Sequence, residues 1–112
     1  MAEVVGTEPA LSDLEAIADY IALDNPVAAA ELVRRVLEHV GQLSEHPRSG
    51  STLPELPELP ELPGWRYRQI IEPPCRAIYR QERDVVFILH VIRSERLLKR
   101  KLVAKRSRST KK

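Results

Sequence analysis

The sequence predicts an α+β domain: a short N-terminal strand, then an antiparallel helical hairpin packed on a three- to four-stranded antiparallel sheet. Three observations lead there. Between Arg66 and Leu98, short apolar runs rich in β-branched and aromatic residues alternate with a Pro73-Pro74 corner and a charged Glu82-Arg83-Asp84 turn, the pattern of successive antiparallel strands. Upstream, apolar residues recur at helical spacing in two segments separated only by Asp24-Asn25-Pro26, so the helices must fold back on each other. The length of 112 residues allows one small core and no second module.

The elements follow in chain order. Glu3 to Gly6 can form one short strand. Ser12-Asp13-Leu14-Glu15 is a capping box and predicts a helix from Asp13, with Leu14, Ile17, Ala18 and Ile21 on its inner face and Asp13, Glu15 and Asp19 on its outer one. Asn25 is a good cap, and Pro26 suits the first position of a second helix. That helix carries Ala29, Val33, Val36, Val40 and Leu43 as a buried stripe, widened by Leu32 and Leu37, while Glu31, Arg34, Arg35, Glu38, Gln42 and Glu45 face water. His46-Pro47 stops it.

From Leu53 to Gly64 the chain repeats Leu-Pro-Glu, and a proline at every third position removes donors and restricts φ. The repeat is expected to be an extended, polyproline-like connection between helix and sheet; a ligand for a proline-recognising domain is the other reading. Three strands follow, at Arg66 to Glu72, Cys75 to Gln81 and Val85 to Ile92. Strict alternation puts Val85, Phe87, Leu89 and Val91 of the last on one side and Val86, Ile88 and Ile92 on the other. Apolar on both faces, it is expected to be central and doubly covered.

The formal charge of +2 hides a division: residues 1–98 hold all 16 acids and 10 of the 18 basic residues, a net −6, and residues 99–112 hold the other eight. The expected organisation is therefore an acidic domain over 1–98 and a basic, flexible tail over 99–112, a disordered solvated end with some affinity for polyanions. The single Cys75 excludes an internal disulfide and agrees with a reducing compartment, and the N-terminus has no secretory pattern, so the cytoplasm is the expected location.

Chemistry-bearing patterns are sparse. His39, His46 and His90 lack ligand spacing with one another, with Cys75 or with paired acids, so no metal and no cofactor is expected. The four glycines are scattered and form no phosphate cradle. His90 lies inside a strand and reads as a partly buried residue with one hydrogen-bond partner. Arginine is the abundant polar residue of the sheet: Arg66, Arg68, Arg76, Arg80, Arg93 and Arg96 lie on or beside the strands, with Arg76 and Arg80 on one face of theirs. Contact with a protein partner, contact with nucleic acid and plain solvation all fit that row.

The order and spacing of the whole domain carry a family resemblance. They run from Val5, Thr7, Ala10, Asp13-Leu14, Ile17 and Tyr20-Ile21, through Asn25-Pro26 with Ala28-Ala29, to Leu43, Pro47 and Gly50. They continue with Arg68-Gln69-Ile70-Ile71, Arg76-Ala77-Ile78-Tyr79-Arg80, and Val86, Ile88-Leu89, Val91, Arg93 and Arg96. Over residues 4 to 98 the chain resembles the ParE/RelE superfamily of type II toxin–antitoxin toxins, a plasmid stabilisation family. The resemblance implies a growth-inhibiting toxin held inactive by a cognate antitoxin.

Two mechanisms occur in that superfamily. ParE-like members poison DNA gyrase without chemistry of their own; RelE-like members cut mRNA on the ribosome, commonly with a C-terminal Tyr. Here no tyrosine follows Tyr79 and no lysine precedes Lys99, so the expectation is a non-enzymatic gyrase inhibitor. In the alternative, a ribosome-dependent endoribonuclease, Arg76, Arg93 and Arg96 would bind phosphate and His90 would transfer the proton. A degenerate, non-toxic antitoxin-binding relative is the third reading. The resemblance assigns antitoxin or target binding to Tyr20, Arg34, Arg68, Arg76, Arg80, Arg93 and Arg96. The partners it implies are the antitoxin and gyrase, or else the ribosome, with DNA touched only through the antitoxin or the basic tail and no contact with a membrane.

Overall fold

The structure, a computed structural model, describes residues 1–53 and 66–110. The Leu-Pro-Glu repeat, and with it the expected polyproline-like loop, lies outside the described residues apart from Leu53. Strand β1 (Glu3–Gly6) leads into helices α1 (Glu8–Ala22) and α2 (Pro26–Gln42), followed by β2 (Ser51–Thr52), β3 (Arg66–Glu72), β4 (Cys75–Glu82), β5 (Val85–Arg93) and helix α3 (Arg100–Arg108). The sheet has five strands in the order β1-β5-β4-β3-β2, with β1 parallel to β5 and the remaining pairs antiparallel. It is thus one strand larger than the upper sequence expectation, because two-residue β2, too short to leave a pattern, pairs with Arg68 and Gln69.

The hairpin forms as its spacing predicts, with one correction at its start. Helix α1 begins at Glu8, not Asp13, with Pro9 in its first turn, where a missing N–H costs nothing. The Ser12-to-Glu15 capping box is therefore helix interior, and both residues are exposed. Thr7 precedes the helix but makes no side-chain cap: its hydroxyl donates to the Ile88 carbonyl and ties the start of α1 to β5. Asn25 does cap α2, its side chain accepting from the Ala28 N–H at 3.0 Å. Leu32, Val36 and Leu43 are buried with Leu14 and Ala10 against Ile70, Ala77, Tyr79, Val86, Ile88 and Val91, while Leu37 stays half exposed.

Strand β5 departs from strict alternation. The register against β4 shifts where Ile78 pairs with His90 and Tyr79 with Ile88, leaving Leu89 as an extra residue. Such a bulge reverses the facing of everything after it. Val91 therefore joins Val86 and Ile88 under the hairpin, and Ile92 joins Phe87 and Leu89 on the opposite face, the reverse of the assignment made from alternation. The strand is covered on both faces as expected, but β4, not β5, occupies the middle of the sheet.

The second face is covered by the segment expected to be a solvated tail. Leu98, Val103 and Ala104 pack on Tyr67, Ile78, Phe87, Leu89 and Ile92, with Leu53 in the same cluster. A hydrophobic stripe hidden among lysines and arginines is enough to dock a nine-residue helix that would be marginal alone.

Candidate functional site

The densest polar cluster forms where β5 loses its neighbour. Pairing of β1 with β5 ends at Gly6 and Ile88, because the chain then turns into α1 and leaves the Leu89-to-Val91 edge open. The Asp13 carboxylate fills that gap: Oδ2 accepts from the Val91 N–H at 3.1 Å, from His90 Nδ1 at 2.6 Å and from Arg106 at 2.6 Å. Arg106 also donates to the Leu89 carbonyl at 3.1 Å. His90 Nδ1 cannot both donate to Asp13 and accept from Arg106, and a bare lone pair facing the carboxylate would be repulsive, so Nδ1 carries the hydrogen. Burial alone would raise the Asp13 pKa, but the hydrogen bonds from His90, Arg106 and the Val91 N–H outweigh it and bring it to about 2. This cluster clamps α1, β5 and α3 together.

The two strand arginines share the α3 face, as alternation predicts, but neither forms an open phosphate clamp. Arg80 is 0% exposed, its guanidinium 4.5 Å above the Phe87 ring, donating to the Ser107 carbonyl and Oγ at 2.9 Å each and to Glu82 at 2.9 Å. It thus neutralises the carbonyl end of α3, where a cation is favourable. Arg76, also buried, donates to Gln69 at 3.1 Å and to the Arg96 carbonyl at 2.8 Å, holding the segment that leads into α3. Tyr67 completes the contact by donating to Ser107 Oγ at 3.1 Å. Sequence reasoning overlooked Arg106 and Ser107; the signal available was Leu98, Leu102 and Val103 recurring at helical spacing inside the basic run.

The other candidate residues divide by exposure. Tyr20, Arg93 and Arg96 line one groove of about 570 Å³ with Ala16 and Ile17 of α1. Its rim carries the Arg93 guanidinium 5.9 Å from the Tyr20 ring and bonded to Glu95 at 2.9 Å. Tyr20 is 68% exposed, and Leu23 and Val27 at the hairpin tip are exposed as well. Arg34 stands apart on α2, paired with Glu31 and Glu38 at 2.8 Å each. Arg68 is partly buried and donates to the Gly50 carbonyl at 2.9 Å. Burial pushes the Cys75 thiol pKa up, which makes it a poor nucleophile. Among the described residues no three His, Cys, Asp or Glu side chains gather as metal ligands, and no helix is long and apolar enough to cross a membrane.

The α+β architecture, with a helical hairpin on one face of a five-stranded mixed sheet, defines the class, and comparison with known proteins agrees. The family model described as ParE toxin of type II toxin-antitoxin system, parDE, matches residues 4–98, and the chain belongs to that family. It is 43% identical over 60 residues to Toxin RelE2 of Caulobacter vibrioides, a match spanning 50% of this chain and 68% of that protein. A structure titled Chromosomal ParDE TA system from P. aeruginosa superposes with a TM-score of 0.63 at 30% identity, covering 85% of this chain and 98% of the other. The protein is therefore a type II toxin of the ParE/RelE superfamily, whose partner is a cognate antitoxin.

Proposed function

We propose that this toxin inhibits growth by poisoning DNA gyrase through a non-catalytic contact, and that the Tyr20–Arg93–Arg96 groove receives its antitoxin. The observation that carries the reading is the fate of the four residues a ribonuclease would use. His90 is 8% exposed and its Nδ1 is committed to Asp13. Arg76 is buried and bonded within the fold. Only Arg93 and Arg96 reach the groove, and guanidinium groups bind anions but do not exchange protons near neutral pH. Exposed tyrosine and arginine beside apolar α1 residues are instead the side chains that dominate protein interfaces.

Ribosome-dependent mRNA cleavage is the second reading, favoured by the likeness to the protein named Toxin RelE2. The purified toxin is expected to block gyrase supercoiling and to accumulate cleaved DNA. Untouched gyrase together with cut ribosome-bound mRNA would reverse the order of the two readings. If neither target responds and expression without antitoxin is harmless, the chain is a binding-only relative. Tyr20→Ala with Arg93→Ala should weaken antitoxin affinity roughly 30-fold or more, read by calorimetry, since central Tyr and Arg contacts are commonly worth about 2 kcal/mol.

A further inference from the structure

We infer that the outward face of α3 is a contact surface for the phosphate backbone of duplex DNA. Lys101, Lys105 and Arg108 follow one another at helical spacing and all are exposed, whereas Val103, Ala104 and Ser107 of the same helix are buried. None of the three has a carboxylate partner among the described residues, whereas Arg106, on the inner side, is bonded to Asp13. The helix is anchored from inside by Arg80 and Arg106, so the stripe is carried on a fixed frame and loses less freedom on binding than a solvated tail would. The charge is also segregated along the chain: residues 1–98 carry a net −6, whereas residues 99–112 hold eight cations and no acid, so the α3 segment is the part that attracts a polyanion.

Charge density and the lack of aromatic residues select the partner. From Lys101 to Arg108 the helix rises about 10 Å, and a duplex presents one phosphate per about 1.7 Å of its axis, so each cation has a phosphate within reach. Single strands are held chiefly by stacking their bases on aromatic side chains, and no Phe, Tyr or Trp follows Phe87. Point charges without base-reading groups bind independently of sequence. The surface does not depend on whether gyrase or the ribosome is the target, because it is read on bare duplex.

The test is an anisotropy titration of a labelled duplex with the full-length, partner-free chain at several salt concentrations. Three phosphate contacts predict roughly a 40-fold loss of affinity between 50 and 200 mM salt. The K101Q/K105Q/R108Q variant should lose most of the low-salt affinity and most of that salt dependence. R48Q/R83Q, which removes exposed cations elsewhere, should keep both. In the wild-type chain, added duplex should protect Lys101 and Lys105 from chemical acetylation, a readout that needs no variant. Equal binding by the triple variant, or failure of duplex to protect the lysines, would overturn the inference. So would single-stranded DNA binding as tightly as duplex, or a triple variant that loses antitoxin affinity and keeps duplex affinity, which would assign the stripe to an acidic peptide.

Discussion

The two faces of the sheet are both covered by amphipathic helices, yet different forces hold them. Under the hairpin the contact is apolar: Leu32 and Val36 from α2, Leu43 just past its end and Leu14 from α1 meet Ala77, Tyr79, Val86 and Ile88. Under α3 the apolar contact is smaller, and buried Arg80 with Arg106 supply the rest through charge-assisted bonds to Ser107, Asp13 and a strand carbonyl. A two-helix apolar layer resists removal as a unit; a nine-residue helix held by a few polar anchors is a local unit that can open before the rest.

The largest effect of a single substitution is expected under the hairpin. Leu43 is 0% exposed, and Leu43→Ala should cost about 2–5 kcal/mol in urea unfolding of the whole domain; a loss well below 1 kcal/mol would remove the claim that this face sets global stability. Gly50→Ala belongs beside it, since a Cβ there would lie 2.5 Å from the Gln69 carbonyl and 2.6 Å from the Tyr79 hydroxyl. That hydroxyl is itself fixed, accepting from the Gly50 N–H at 3.0 Å and donating to Pro47 at 2.9 Å, so the melting temperature should fall by several degrees.

On the other face Arg80→Ala should cost on the order of 2–3 kcal/mol, but its signature is local. Trypsin should cut between Lys99 and Arg108 well before it cuts the hairpin, and simultaneous cleavage of both would merge the two faces into one cooperative unit.

The Asp13–Arg106 anchor of α3 weakens in acid. The Asp13 carboxyl has a pKa of about 2 in the folded chain against an ordinary 3.8, so the unfolded chain takes up the proton first as the pH falls. The stabilisation, about 2 kcal/mol, is present in full above about pH 4 and is lost as the pH drops through 2. Asp13→Asn should flatten that part of the stability profile, and an unchanged acid limb would assign it to other carboxylates. The smallest effect is expected away from both faces. Arg83 has φ of 54° in the β4–β5 turn, a conformation glycine adopts freely, so Arg83→Gly should be neutral or stabilise by up to about 1 kcal/mol in the same unfolding measurement.

The hairpin and the three long strands were legible because each rests on a local rule. Asn25-Pro26 opens α2 by capping and φ preference, and β3, β4 and β5 start within a residue of where Pro73-Pro74 and the charged turn place them. The start of α1 was misplaced because Thr7, Glu8 and Pro9 are as acceptable before a helix as inside its first turn, and Ser12 offered a plausible cap. The exchange of Val91 and Ile92 followed from a bulge that no residue in β5 announces. Of the candidate site, Tyr20, Arg93 and Arg96 meet in one groove, while Arg76 and Arg80 turn inward. Side-chain type alone carries no information about which arginine will find a helix over it.

The sequence by itself determined the α+β class, the family and the absence of any motif for metal or phosphate chemistry, since periodicity, turn residues and spacing are one-dimensional properties. Only the tertiary structure decided that the basic C-terminal segment is a docked helix, that Asp13 closes the open edge of β5 through His90 and Arg106, and that Arg80 is core. Those outcomes depend on residues 93 positions apart in the chain, as Asp13 and Arg106 are, reaching bonding distance. No local pattern encodes such a meeting; the packing of both faces against one strand does.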